Sequence, residues 1–135
     1  MNWDNAYTKA TKGIEVSVLP TYLASRSEPA NDLFIWSYSV RIWNKGDATV
    51  TLRQRSWQIT DASGHMETVR GEGVVGEQPT LKPGELFEYT SGTPLNTPSG
   101  IMMGSYDFEI EDGGWIIAEI PAFSLDSPHE GASLN

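Results

Sequence analysis

The sequence predicts an all-β protein built as two antiparallel sheets packed face to face. Three observations carry that prediction. Apolar and polar residues alternate with period two in several segments, turn residues recur at intervals of about ten, and no segment sustains helical periodicity.

The first alternating segment is Ile14-Glu15-Val16-Ser17-Val18, a half-buried strand. Residues 33–43 follow, with Phe34, Trp36, Tyr38, Val40 and Ile42 on one face and Ile35, Ser37, Ser39, Arg41 and Trp43 on the other. Asn44-Lys45-Gly46-Asp47 turns the chain into a second long strand. There Val50 and Leu52 share one parity while Trp57 and Ile59 have the other, so a β-bulge within residues 53–56 must absorb one residue. Asp61-Ala62-Ser63-Gly64 is the next turn, residues 66–70 form a short strand, and residues 86–89 form another after Pro83-Gly84. Tyr106, Phe108 and Ile110 then alternate with Asp107, Glu109 and Glu111, ahead of Asp112-Gly113-Gly114 and Trp115. A two-residue Gly-Gly loop would put Glu119 beside Phe108 in the core. A three-residue loop instead pairs Phe108 with Ala118, Ile110 with Ile116 and Asp107 with Glu119, and leaves every charge outside.

Seven or eight such strands suggest a β-sandwich of immunoglobulin or fibronectin-III type. Its core is expected to hold the Phe34–Ile42 face, Trp57, Ile59, Tyr106, Phe108 and Ile120. One domain is expected over residues 10–125, with loosely held tails at 1–9 and 126–135.

Composition bounds the function. All nine Lys and Arg lie in residues 1–82 with nine acids, and the other nine acids lie in residues 83–135, which therefore carry the whole net charge of −9. Nucleic acid and anionic membranes are held mainly by cations, so neither is an expected partner. Basic proteins and metal cations are electrostatically permitted. No cysteine is present, which removes disulfides, Cys-ligated zinc and thiol catalysis and fits a reducing cytoplasm. No secretory signal or membrane-spanning run is expected.

Residues 71–98 contain a GxGxxG formed by Gly71, Gly73 and Gly76. A phosphate-binding version needs a helix opening at the glycines. Here Glu77-Gln78-Pro79 and Lys82-Pro83-Gly84 follow, leaving no room for a helix. A strand-and-turn connection with at least one glycine at positive φ is expected instead.

The combination of segments is more specific than any one of them. Residues 14–18, 34–42 and 71–98, Trp57-Gln58-Ile59-Thr60-Asp61 with Gly64, Gly104-Ser105-Tyr106 and Glu119-Ile120-Pro121-Ala122-Phe123 together resemble the ApaG (ApaG/CorD) family. Gly71, Gly73, Gly76, Glu77 and Pro79 form its signature loop. One position departs: the family pattern has His before this tryptophan, and Ser56 stands here, so any role of that imidazole is absent. The resemblance implies a fibronectin-III-like sandwich. It also implies a bacterial protein without an established reaction, in a family associated with cobalt tolerance and magnesium efflux. Related domains in eukaryotic F-box and polymerase-delta-interacting proteins look like protein-binding modules.

Among candidate chemistries, His65 and His129 are the only histidines, and no GxSxG elbow supports a triad; Ser91 sits in a turn-like Thr-Ser-Gly-Thr-Pro. Asp107 and Glu119, expected as cross-strand neighbours, are weak candidates for a hard-cation site with magnesium or cobalt. Trp43 and Trp115 point away from the expected core and, with Asp107, Glu109 and Glu119, make the candidate binding surface. The expected function is thus a non-catalytic, cytoplasmic protein-binding module, monomeric or weakly dimeric, without a cofactor. A cation-linked role through surface carboxylates is the first alternative, and phosphate or nucleotide binding at the glycine loop the second.

Overall fold

The computed structural model describes residues 2–129. Among these residues nine strands form two antiparallel sheets. They are β1 (Tyr7–Thr11), β2 (Ile14–Tyr22), β3 (Phe34–Asn44), β4 (Val50–Asp61), β5 (Met66–Glu72), β6 (Thr80–Leu81), β7 (Leu86–Leu95), β8 (Ser99–Ile110) and β9 (Trp115–Asp126). One sheet has the order β1-β2-β3-β7; the other has β5-β4-β8-β9, with β6 paired to β4. The only helices among the described residues are three-residue 3-10 turns, at Trp3–Asn5, Ala24–Arg26 and Pro29–Asn31.

Period-two alternation becomes burial in the way the residues demand. Phe34, Trp36, Tyr38, Val40 and Ile42 face Trp57, Tyr106, Phe108 and Ile120 from the opposing sheet, all buried; Ile59 is only partly covered. The bulge falls at Arg53, where β4 shifts register against β8 between Leu52 and Gln54. The extra residue reverses parity, so Arg55, Trp57 and Ile59 point inward like Leu52.

Several expectations need correction. Residues 7–9 are not a loose tail: β1 pairs with β2 from Tyr7↔Val18 to Thr11↔Ile14. It also meets β9, with Lys9 ion-paired to Glu119 and Thr11 Oγ1 accepting from the Glu119 N–H at 3.2 Å. At the other end β9 runs through Asp126, and the His129 ring packs 6.0 Å from that of Tyr22; residues 130–135 lie outside the described residues. The Thr90–Pro94 stretch is strand within β7, an edge position where Gly92 and Pro94 are tolerated.

The β8–β9 loop has three residues but sits one position earlier than expected. Ile110 N–H donates to Gly114 O, so the loop is Glu111-Asp112-Gly113, with Gly113 and Gly114 at φ of 104° and 90°. Phe108 therefore pairs with Ile116, Tyr106 with Ala118, and Asp107 with Ile117 rather than Glu119. The shift moves each partner by two residues, so parity is unchanged and the charges remain outside.

Within the core, Tyr89 and Tyr106 hydroxyls hydrogen-bond to each other. Burial pushes both phenols above the ordinary value of 10.0. The unfolded chain therefore releases these protons first as pH rises. Stability should be intact below about pH 10 and fall above it by about 1.4 kcal/mol per pH unit for each phenol the fold keeps protonated. Urea titrations between about pH 8 and 11 should show this decline, and it should be shallower in a Tyr89→Phe/Tyr106→Phe variant.

Candidate functional site

The glycine loop closes on itself without a helix. Val74 and Glu77 exchange both backbone hydrogen bonds, at 2.8 and 2.9 Å, across Val75-Gly76. The φ values of 44° and 82° at these central residues match a type I′ turn. Gly73 donates its N–H to Arg53 O at 2.8 Å, docking the loop on the bulge, and buried Val74 anchors it in the core. A Cβ on Gly73, at φ 62°, would lie 2.1 Å from Glu77 O. Gly71 makes room of another kind: a Cβ there would lie 2.8–2.9 Å from the Arg55 guanidinium. Glu77 and Pro79 complete the connection, with Pro79 O accepting from Leu52 N–H at 3.0 Å.

Trp43 and Trp115 lie on opposite outer faces of the sandwich and are not brought together. Lys45 Nζ stands 4.3 Å from the Trp43 ring centroid, and Arg41 Cζ stands 5.8 Å away. Cations from its own strand and the following turn therefore cover that half-buried ring. Trp115 is 55% exposed.

The three acids of the candidate surface share Trp115's face of the β5-β4-β8-β9 sheet. Rows across it read Trp115–Glu109, Ile117–Asp107–Gln54 and Glu119–Ser105–Ser56–Arg70, followed by Met103–Gln58–Thr68 and Ile101–Thr60–Met66. Glu109 is ion-paired with Arg53 Nε at 2.9 Å, and Glu119 with Lys9. Asp107 makes no ion pair among the described residues. The Asp107–Glu119 pair expected for a two-carboxylate cation site is replaced by successive rows, and no three His, Asp or Glu side chains converge among the described residues.

Exposed Ile117, Ile101, Met103 and Met66 add apolar area to this face. Between its apolar ends lies a hollow of about 490 Å³ bordered by Lys9, Ser56, Arg70, Met103 and Glu119. At its floor β8 approaches β4 closely, and a Cβ on Gly104 would sit 2.1 Å from Ser56 O. His65 lies in the exposed turn after β4, where its N–H donates to Asp61 Oδ1 at 3.0 Å.

Sequence reasoning missed Arg55. Its parity with Trp57 and Ile59 beyond the bulge was the available signal: a charged residue in a core-facing series. No helix among the described residues is long and apolar enough to cross a membrane.

Residues 24–110 match the family model of the ApaG domain. The chain is 58% identical over 129 residues to Protein ApaG of Paramagnetospirillum magneticum, covering 96% of this chain and 99% of that protein. It is 59% identical over the same length to Protein ApaG of Parvibaculum lavamentivorans, with the same coverage. A crystal structure of an ApaA protein from Bordetella pertussis superposes with a TM-score of 0.83 at 44% identity, over 85% of this chain and 94% of that one. The C-terminal domain of wzt, at 10% identity and a TM-score of 0.54, shares the fold alone.

Proposed function

We propose a binding role without catalysis for this chain, which belongs to the ApaG family. The partner is a protein, and the contact surface is the outer face of the β5-β4-β8-β9 sheet. The observation that carries this reading is the exposure of neighbouring large apolar side chains, with Trp115 at 55% and Ile117 at 62%. Exposed aromatic and aliphatic side chains rimmed by polar groups have the composition of an interaction patch. Trp115 is the anchor, since a desolvated indole offers large area with few rotamers to freeze. The hollow beside Lys9 and Glu119 would receive a side chain from the partner.

Electrostatics adds less than three free carboxylates would. Glu109 and Glu119 are already paired, so steering of a basic partner falls mainly to Asp107. Salt dependence should accordingly be modest.

The test is capture from the native lysate with wild type, Trp43→Ala, Trp115→Ala and an Asp107→Asn/Glu109→Gln/Glu119→Gln variant, each checked for native melting. Trp115→Ala should weaken capture by about thirtyfold, a loss of about 2 kcal/mol, with little effect on stability. Trp43→Ala should retain the partner, because that ring is engaged by Lys45 and Arg41. Equal capture by wild type and folded Trp115→Ala would refute the assignment of this face. Calorimetric binding of magnesium or cobalt that the triple variant abolishes would favour the cation-linked alternative.

A further inference from the structure

The two sides of the sandwich are closed differently. On one side β1 ties the sheets together through the Lys9–Glu119 and Thr11–Glu119 contacts. On the other, the unpaired edges of β5 and β7 border two adjoining hollows of about 310 and 220 Å³, which share Tyr38, Arg55, Trp57 and Ser91.

Arg55 is held in this cleft by the glycine loop. Its Nη1 donates to Glu72 O at 3.0 Å and Gly73 O at 2.9 Å, while the guanidinium lies against Gly71. Those bonds fix the fork but leave Nε–H and Nη2 without an acceptor among the described residues, and Arg55 makes no ion pair there. A guanidinium fixed in a cleft with donors uncommitted offers charge-assisted hydrogen bonds to an anion.

The surroundings narrow the choice of anion. The larger hollow is polar, with Glu72, Gly76, Tyr89 and Ser91 beside Arg55. The smaller one continues along Ile59, Val69, Thr93 and Met102. The apolar lining of the smaller hollow favours an anion carried on an apolar body over inorganic phosphate. Val75, a β-branched residue at φ 44°, also lines the polar hollow; such backbone strain persists where the surroundings enforce it, often at ligand sites.

We infer that this cleft binds a carboxylate carried on an apolar body, with the carboxylate on the uncommitted donors of Arg55 and the body against Ile59, Val69 and Met102. The site is separate from the outer face assigned to protein binding, and neither reading depends on the other.

The experiment titrates the full ¹⁵N-labelled chain with N-acetylleucine, its amide and inorganic phosphate. The acid should cause saturable shifts at the Arg55 Nε–H and at the amides of Gly76, Ser91, Val69 and Thr93, whereas the amide should cause none. Arg55→Lys, which keeps the charge but loses the fork, should weaken binding of the acid by about tenfold. Val69→Glu, an exposed edge change that spares the fold, should weaken it about as much by placing an acid at the apolar end. Equal shifts from acid and amide would overturn the inference. So would phosphate binding in preference to the acid, or unchanged affinity for the acid in folded Val69→Glu.

Discussion

Replacing Gly73 by alanine should destabilise the domain by about 3 kcal/mol, lowering the melting temperature by about 10 °C. Two effects act together. At φ 62° an alanine pays about 1 kcal/mol or more for the left-handed conformation. Its Cβ would also stand 2.1 Å from Glu77 O, a backbone atom that cannot move without breaking the Val74–Glu77 pairing. Gly71→Ala should cost less, because the group it meets is the end of a long side chain, Arg55. Urea unfolding of the two variants measures the difference directly. The same Gly73 variant separates a structural loop from a nucleotide site: ATP binding in the wild type that disappears in a folded Gly73→Ala would contradict the structural reading.

Truncating Phe108 to alanine should be more damaging, at about 3–5 kcal/mol. Phe108 is fully buried, paired with Leu52 and Ile116 across both neighbouring strands, and set edge-on to Tyr106 with ring centroids 6.3 Å apart. Central β8 is hydrogen-bonded on both sides, so the sheet cannot collapse readily into the vacated space. Equilibrium unfolding should show a lower midpoint with an unchanged denaturant slope. By contrast, Trp115→Ala on the adjoining strand should leave the midpoint nearly unchanged, since its ring lies largely in solvent.

These two residues mark what could be read before the structure. Phe108 was legible because strand parity alone assigns it to the core, and the same logic located the bulge from the mismatch between Leu52 and Trp57. Hairpin register was not fully legible. The expected and observed three-residue loops both place Ile116, Ala118 and Ile120 inward, so alternation has no power to choose between them. β1 gave no apolar signal because Tyr7–Thr11 is mostly exposed and held by backbone pairing with β2. At the candidate sites, parity correctly turned Trp43 outward, but Arg41 and Lys45, two residues either side of it, cover the ring. Arg55 required the bulge, the glycine loop and the β5–β7 opening together, a combination that exists only in three dimensions.

Contact between the Trp115–Ile117 face and a protein partner can be detected by site-specific photocrosslinking in the native host. A benzophenone amino acid at Ile117 reports on this face, and one at exposed Thr21 reports on the outer face of the other sheet. A discrete protein should be crosslinked from position 117, lost when Trp115→Ala is added, and absent from position 21. No protein crosslinked from position 117, or the same proteins captured equally from both positions, would contradict the assignment of this face.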